Sequence, residues 1–564
     1  MKLSFIQLFL IVAILITLNL ISSGFFYRWD LTAERRYSIS QVSQQTADSL
    51  ESVLTVKVYL EGDFPAPLKR FADAVRTTLI ELKVYAGSNL QYKFINPGKN
   101  PDLMKLFNEH GISPLPVNVR TSEMESSRQY VFPVAVVSYQ GKDEYVDLIK
   151  GSSFPNGQVD LIRAEQDIEY KLVSAIKRLM TTEPRIVGLL RGQREFNRNV
   201  MAEWIQEMSQ FYTILDVRAD SGQSIAPSKR FLPDTIAQKL AGRGVDVLVV
   251  AQPDTAFSER TKYEIDQYLM RGGRILWIVD QEKVDVSNGP SLSIMRQLNL
   301  DDLFFKYGFK INYDLVQDVS CGRLDVIRGF NDGPVWSSEK WLYYPAVYNL
   351  PDHPINRNID GLLLRYVSTI DTIPRNGVKF TPFVFTSAYS RTLNGNVMID
   401  LNKELTNPPP VEVFRYKGNK VVGLQLDGKF ESLFAGRTPP VDTKAPNPPT
   451  AKFIAQNIFP TEMLVVSDGQ IALPEDYRGR PGTMPLDNKT FLMNCLDLLM
   501  GNQAITQIRA KEVSIKQLHK ETVVQNKILI QLLNVLFPVI LILLFGIARH
   551  QLRVRENQKK AVIT

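Results

Sequence analysis

The sequence predicts a mixed α/β protein: two transmembrane helices flanking a long multi-domain region. Three observations predict it. Residues 3–27 and 528–548 are uncharged and apolar, and about twenty helical residues cross the hydrocarbon of a bilayer. Between them, short apolar runs alternate with amphipathic stretches of helical period, as βα units do. Of 564 residues, 44% are hydrophobic and 22% charged, a balance that permits several packed cores.

The first span is read as an uncleaved anchor, because Phe25, Phe26 and Tyr27 follow "SSG" at once and suit an interfacial belt better than a cleaved leader. The second span holds Gln531, Asn534 and Pro538, and Gln531 and Asn534 are candidate contacts to a partner helix. The formal charge is +7, and the tail 549–564 supplies five basic side chains against Glu556. The remainder is nearly balanced, which argues against nucleic-acid binding. A basic tail stays cytoplasmic, so two spans put both termini in the cytoplasm and the bulk outside it, in the periplasm of a bacterium.

Residues 1–27 are the anchor, and a first α/β domain covers 28–182. Ser40 is placed to cap a helix over 41–51. Strands are expected at 54–60, 90–96, 131–139 and 144–149, with helices over 67–85 and 101–109. A βαβ start followed by a hairpin is a thioredoxin-like layout without its cysteine pair. The helix 164–180 leads into a second domain over 183–320. Apolar strands at 185–190, 244–253 and 274–280 alternate with helices over 199–211 and 258–273, the latter capped by Ser258 and stopped by Gly272. Such alternation means a doubly wound, largely parallel sheet. Its continuation over 321–505 is mixed, with a strand within 420–434, another over 462–471, a helix over 488–501 and a proline-rich loop at 436–450. A juxtamembrane segment, 506–527, precedes the second span.

Few residues point to chemistry. No G-x-x-x-x-G-K-[ST] occurs, so the chain carries no P-loop, and no G-x-G-x-x-G follows a strand. The histidines, His110, His353, His519 and His550, lack metal-ligand spacing, and no metal or cofactor is expected. Cys321 and Cys495 are too few for a cysteine framework. One bridge between them, or two unpaired thiols, are the available readings, and Cys495 falls on the apolar face of its helix. The second domain, with a polar turn after its first strand, is similar to the glutamine amidotransferase fold, but that chemistry needs a cysteine activated by a histidine. No cysteine precedes Cys321, and there is no G-x-S-x-G elbow. The chain is therefore expected not to be an enzyme. Arg191, Gly192, Gln193, Arg194 and Glu195, at the ligand edge of the sheet, form the candidate ligand or docking loop.

The stretches "RWDLTAERRYSIS", "VYLEGDFPAPLKRF", "VGLLRGQREF", "LFFKYGFKINYDLVQD", "WLYYPAVYN", "HPINRNID", "VGLQLDGKFESLFAGR" and "DNKTFLMNCLDLLMG" occur in that order across nearly the whole chain. In them the chain resembles the gliding-motility-associated auxiliary proteins of ABC transporters in Bacteroidetes, the GldG family. That resemblance implies a separate permease and a cytoplasmic ATPase as partners, anchorage in the inner membrane, and a substrate-binding-like or auxiliary role. It transfers no catalytic residue. A periplasmic scaffold of an envelope or motility machine, with no transport role, is the alternative.

Overall fold

The computed structural model describes residues 39–62, 64–96, 103, 105–107, 112, 115–120, 126–149, 161–180, 185–219, 225–228, 244–286, 289–330, 333–348, 350–357, 359–414, 418–440, 453–457, 459–477, 480–501, 545–547 and 549–551. The first expected span, and the second apart from 545–547, lie outside the described residues, as do Gln531 and Asn534. Among the described residues no helix is long and apolar enough to cross a membrane.

The first domain begins with helix α1 (Gln41–Asp48), which Ser40 caps by accepting a hydrogen bond from the Ser43 N–H. Strand β1 (Leu54–Val58), helix α2 (Ala66–Ala86) and strand β2 (Leu90–Phe94) follow. Next come β3 (Leu115–Arg120), β4 (Ser126–Val131), β5 (Val134–Tyr139), β6 (Lys142–Asp147) and helix α3 (Leu161–Met180). The main sheet has the order β2-β1-β5-β6, with β1 and β2 parallel and the other pairs antiparallel. The single strand expected over 131–139 is two. Pro133 offers no N–H to a ladder, so the chain leaves β4, which pairs with β3, and enters the main sheet as β5. Helices α1, α2 and α3 bury Val42, Phe71, Val75, Leu79, Leu172 and Ile176 against that sheet.

The larger sheet is built from β7 (Ile186–Arg191), β8 (Thr213–Arg218), β9 (Val247–Ala251) and β10 (Arg274–Ile278), with α4 (Ala202–Ser209) and α5 (Glu259–Met270) between them. Later in the chain come α6 (Asp301–Tyr307), β11 (Phe309–Ile311), the ribbon strands β12 (Cys321–Phe330) and β13 (Pro334–Val347), and β14 (Ile370–Thr372). Strands β15 (Val378–Phe385), β16 (Val421–Gly428) and β17 (Thr461–Val466) and helix α7 (Asn488–Leu499) complete it. The order is β15-β16-β17-β10-β9-β7-β8, parallel from β17 to β8, with β16 and β15 antiparallel at one side.

Every residue of β9 is buried, as a strand covered on both faces requires. On one face Trp204 of α4 and Phe491, Leu492 and Leu496 of α7 pack on Val249, Leu276 and Leu464. On the other, Ile265, Tyr268 and Leu269 of α5, with Phe304 of α6, pack on Val250, Trp277 and Val465. Each such side chain contributes roughly 1.5–3 kcal/mol by leaving water. Ser258 caps α5 through the Thr261 N–H, and Gly272 takes φ 93° at its end. The strand expected over 462–471 stops at Val466, and a turn follows in which the Asp468 carboxylate accepts the Gln470 N–H at 2.8 Å. Both cysteines are free thiols.

Candidate functional site

The parallel order places β7 between β8, which follows it, and β9, which comes later, so the chain reverses direction across the sheet between β7 and β9. Ligands of open α/β sheets bind at the carboxyl ends of the strands at such a point. The loop Arg191–Glu195 stands there. Gly192 takes φ 129° and Arg194 φ 55°, which turns the Gly192 and Gln193 N–H groups toward the loop's own carboxylate. Glu195 Oε2 accepts both, each at 3.0 Å. Two adjacent backbone donors of this kind form an anion nest, and Glu195 occupies it.

The crevice beside the loop is bridged as well. The Gln193 carbonyl accepts the N–H groups of Asp254 at 2.8 Å and Thr255 at 3.2 Å, tying the loop after β7 to the loop after β9. Arg191 reaches toward β8, donating through Nε to Asp216 at 3.0 Å and through a terminal nitrogen to the Phe196 carbonyl at 2.6 Å. Arg198 meets the same carboxylate at 3.2 Å. Burial pushes Asp216 up, but hydrogen bonds from Arg191 and Arg198 outweigh it and hold the carboxyl below its usual range. Glu195 goes the other way: burial raises it against the pull of the loop's N–H groups and Arg191.

Behind the loop, the ends of β9, β10 and β17 contribute polar side chains that the sequence reading did not single out. Gln252, at φ 45°, donates from its amide to Asp280 Oδ2 at 2.9 Å. The other Asp280 oxygen accepts the Gly469 N–H. Asp468 accepts the Arg365 N–H at 2.9 Å as well as that of Gln470. Asp280 and Asp468 are each 1% exposed or less. Burial pushes Asp280 up, opposed by Arg296, while burial and then the Asp280 charge push Asp468 well up. Both carboxyls thus hold their protons to higher pH than exposed ones, Asp280 to about 6 and Asp468 further. Gly469 leaves room for the arrangement: a Cβ there would lie 2.7 Å from Gln252 Cγ and 2.8 Å from Asp280 Oδ2. Arg296 pairs with Asp254, which Lys283 meets at 3.2 Å. A sequence signal for these positions existed, since the apolar runs of β9, β10 and β17 break at Gln252, Asp280 and Asp468 within one to two residues of each strand's end.

The nucleophile candidates are elsewhere. Cys495 is fully buried in α7, and burial drives its thiol well up. Cys321 opens the β12–β13 ribbon, where burial also raises it. His353 stacks on Phe383 at 5.4 Å, shares a hydrogen bond of 2.8 Å with Gln425 through Nε2, and accepts the Ile355 N–H at Nδ1, so it is neutral with both nitrogens engaged. Burial lowers its pKa further. Among the described residues no group of three or more metal-ligating side chains comes together.

No curated protein matches the chain. A solved structure, the N-terminal domain of mmIFT52, is 12% identical with a TM-score of 0.31, over 56% of this chain and 97% of that one. Residues 33–138 match a domain of unknown function. Residues 184–495, more than half of the chain and the whole of the larger sheet, match the auxiliary family of the ABC-type uncharacterized transport system. The chain thus belongs to the auxiliary family of the ABC-type uncharacterized transport system.

Proposed function

We infer that the protein is a membrane-anchored, periplasmic auxiliary subunit of an ABC transporter associated with gliding motility, acting beside a separate permease and a cytoplasmic ATPase and catalysing no reaction itself. The observation that carries this reading is the state of the sheet's carboxyl edge. Where an enzyme of this architecture would present empty donors and a nucleophile, Glu195 fills the nest and the Gln193 carbonyl ties the neighbouring loop. The two thiols are held protonated by burial, and a thiol rather than a thiolate is a poor nucleophile. An edge whose nest is already filled suits docking. The strand order β2-β1-β5-β6 supports the thioredoxin-like reading of the first domain as a scaffold, and the parallel core from β17 to β8 supports the amidotransferase-like reading of the second. The uncharged segments 3–27 and 528–548 support the two spans, with Gln531 and Asn534 facing a permease helix and the basic tail meeting anionic lipid or the ATPase.

Affinity purification of the tagged full chain in a mild detergent tests the reading. A permease and an ATPase should be recovered together with it, and recovery of neither would end it. The same edge also serves a pure scaffold. Inactivating the partner ATPase separates the two, because a scaffold's phenotype would survive that loss.

A further inference from the structure

At the side of the larger sheet, around α6, β11 and β14, two grooves meet. One, of about 1010 Å³, lies between α6 and the Lys429–Arg437 segment. The other, of about 700 Å³, lies over β11, β14 and the start of β16. Lys310 and Tyr313 line both, so they form one trough. Lys420 and Lys429, at its two ends, bracket the whole of β16. At about 3.3 Å per strand residue that separation is on the order of 30 Å, too long for a single sugar or nucleotide and suited to a chain.

The lining has a definite chemistry. Five basic side chains face the larger groove against three acidic ones, and the acids are already engaged. Glu431 pairs with Lys306 at 2.8 Å, Asp302 with Lys262 at 2.9 Å, and Asp301 accepts the Tyr313 hydroxyl at 2.5 Å. Lys310, Lys429 and Arg437 are lining cations that make no ion pair among the described residues. The smaller groove adds Lys420, two carboxylates that are already engaged, Asp314 by Thr369 and Asp371 by Asn312 at 2.8 Å, and neutral groups, among them Asn394, Asn419 and Thr392. Phe305, 55% exposed, lines the larger groove with the Arg375 guanidinium 4.9 Å from its ring centroid. Uncommitted cations call for anionic groups, amides and hydroxyls for a ligand rich in hydroxyls, and a standing aromatic ring for the C–H face of a saccharide.

We propose that this trough binds an extended anionic oligosaccharide, laid from the β11–β14 pair to α6 with its acidic groups on Lys310, Lys429 and Arg437. It goes beyond the transporter reading and is testable apart from it, since the purified chain alone is the binding partner.

The experiment is fluorescence anisotropy of the full chain in detergent with a labelled hexagalacturonate. Neutral cellohexaose and poly-glutamate of matched length are unlabelled competitors. Binding that weakens with salt, resists both competitors, and falls roughly tenfold or more in Lys310→Glu is expected, because one charge-assisted contact is lost and repulsion replaces it. Lys429→Gln, a milder change at an exposed position, should fall in the same direction, while Lys57→Glu, on exposed β1 surface, should leave binding unchanged. No binding at millimolar hexagalacturonate, equal competition by poly-glutamate or by cellohexaose, or full binding by both trough variants would overturn the proposal. Circular dichroism confirms that each variant is folded. If permease and ATPase copurify but hexagalacturonate does not bind, the trough proposal fails and the subunit reading stands; the reverse outcome separates them equally.

Discussion

The carboxyl edge of the larger sheet and the trough along its antiparallel side are both polar, yet they are opposite in state. At the edge the carboxylates are engaged: Glu195 takes two N–H groups, Asp280 takes Gln252 and Gly469, and Asp468 takes Arg365 and Gln470, although the buried Gln193 Oε1, Glu195 Oε1 and Gln252 Oε1 find no protein partner among the described residues. In the trough Lys310, Lys429 and Arg437 face solvent with their charge uncommitted. The difference follows from burial. An unpaired buried polar group costs about 1–3 kcal/mol, which draws the buried carboxylates onto backbone and amide donors, whereas water solvates an exposed lysine. The carboxylates at the strand ends are thus held mainly by groups of the same edge, whereas the trough's cations are held by water.

That contrast can be broken from the edge first. Gly469→Ala should lose about 1–3 kcal/mol in denaturant unfolding, as its Cβ meets Gln252 and Asp280 inside van der Waals distance. A loss under 0.5 kcal/mol would show that the edge is looser than described. Glu195→Ala should lose about 1–2 kcal/mol and, by emptying the nest, should gain stabilisation by sulfate that the parent chain lacks. Thermal melts with and without sulfate read both effects.

Asp280→Asn sharpens the pH side. A carboxyl whose folded pKa is raised stabilises fully below its unfolded value, about pH 4, and loses that contribution as pH rises through the folded value. The parent should therefore weaken between pH 4 and neutrality more than Asp280→Asn does, and parallel curves would refute the raised pair. His353 has the opposite sign: its lowered folded value means stability is lost as pH falls below its unfolded value, about 6.5, a smaller effect that His353→Gln should remove. Smallest of all is Lys429→Gln. It should shift stability by no more than about 0.5 kcal/mol, so its effect on ligand binding can be read without a folding penalty.

The caps at Ser40 and Ser258 and the runs that became β7, β9 and β10 were legible because each rests on neighbours within a few residues. The break at Pro133 was written in the sequence too, but the apolar residues around it masked it. Sequence alone determined the alternation of βα units, the lack of a P-loop and of a paired cysteine and histidine, and the place of the Arg191–Glu195 loop after a buried strand. Tertiary structure decided the rest. Hydrogen bonding between distant strands set β17 beside β10, and only that pairing brings Gly469 onto Asp280, 189 residues apart. The trough, likewise, draws on segments near 301–313, 369–378 and 419–437 that share no local pattern. Spacing along a chain fixes which face a residue takes within its own element, but the meeting of elements is settled by how their buried faces fit.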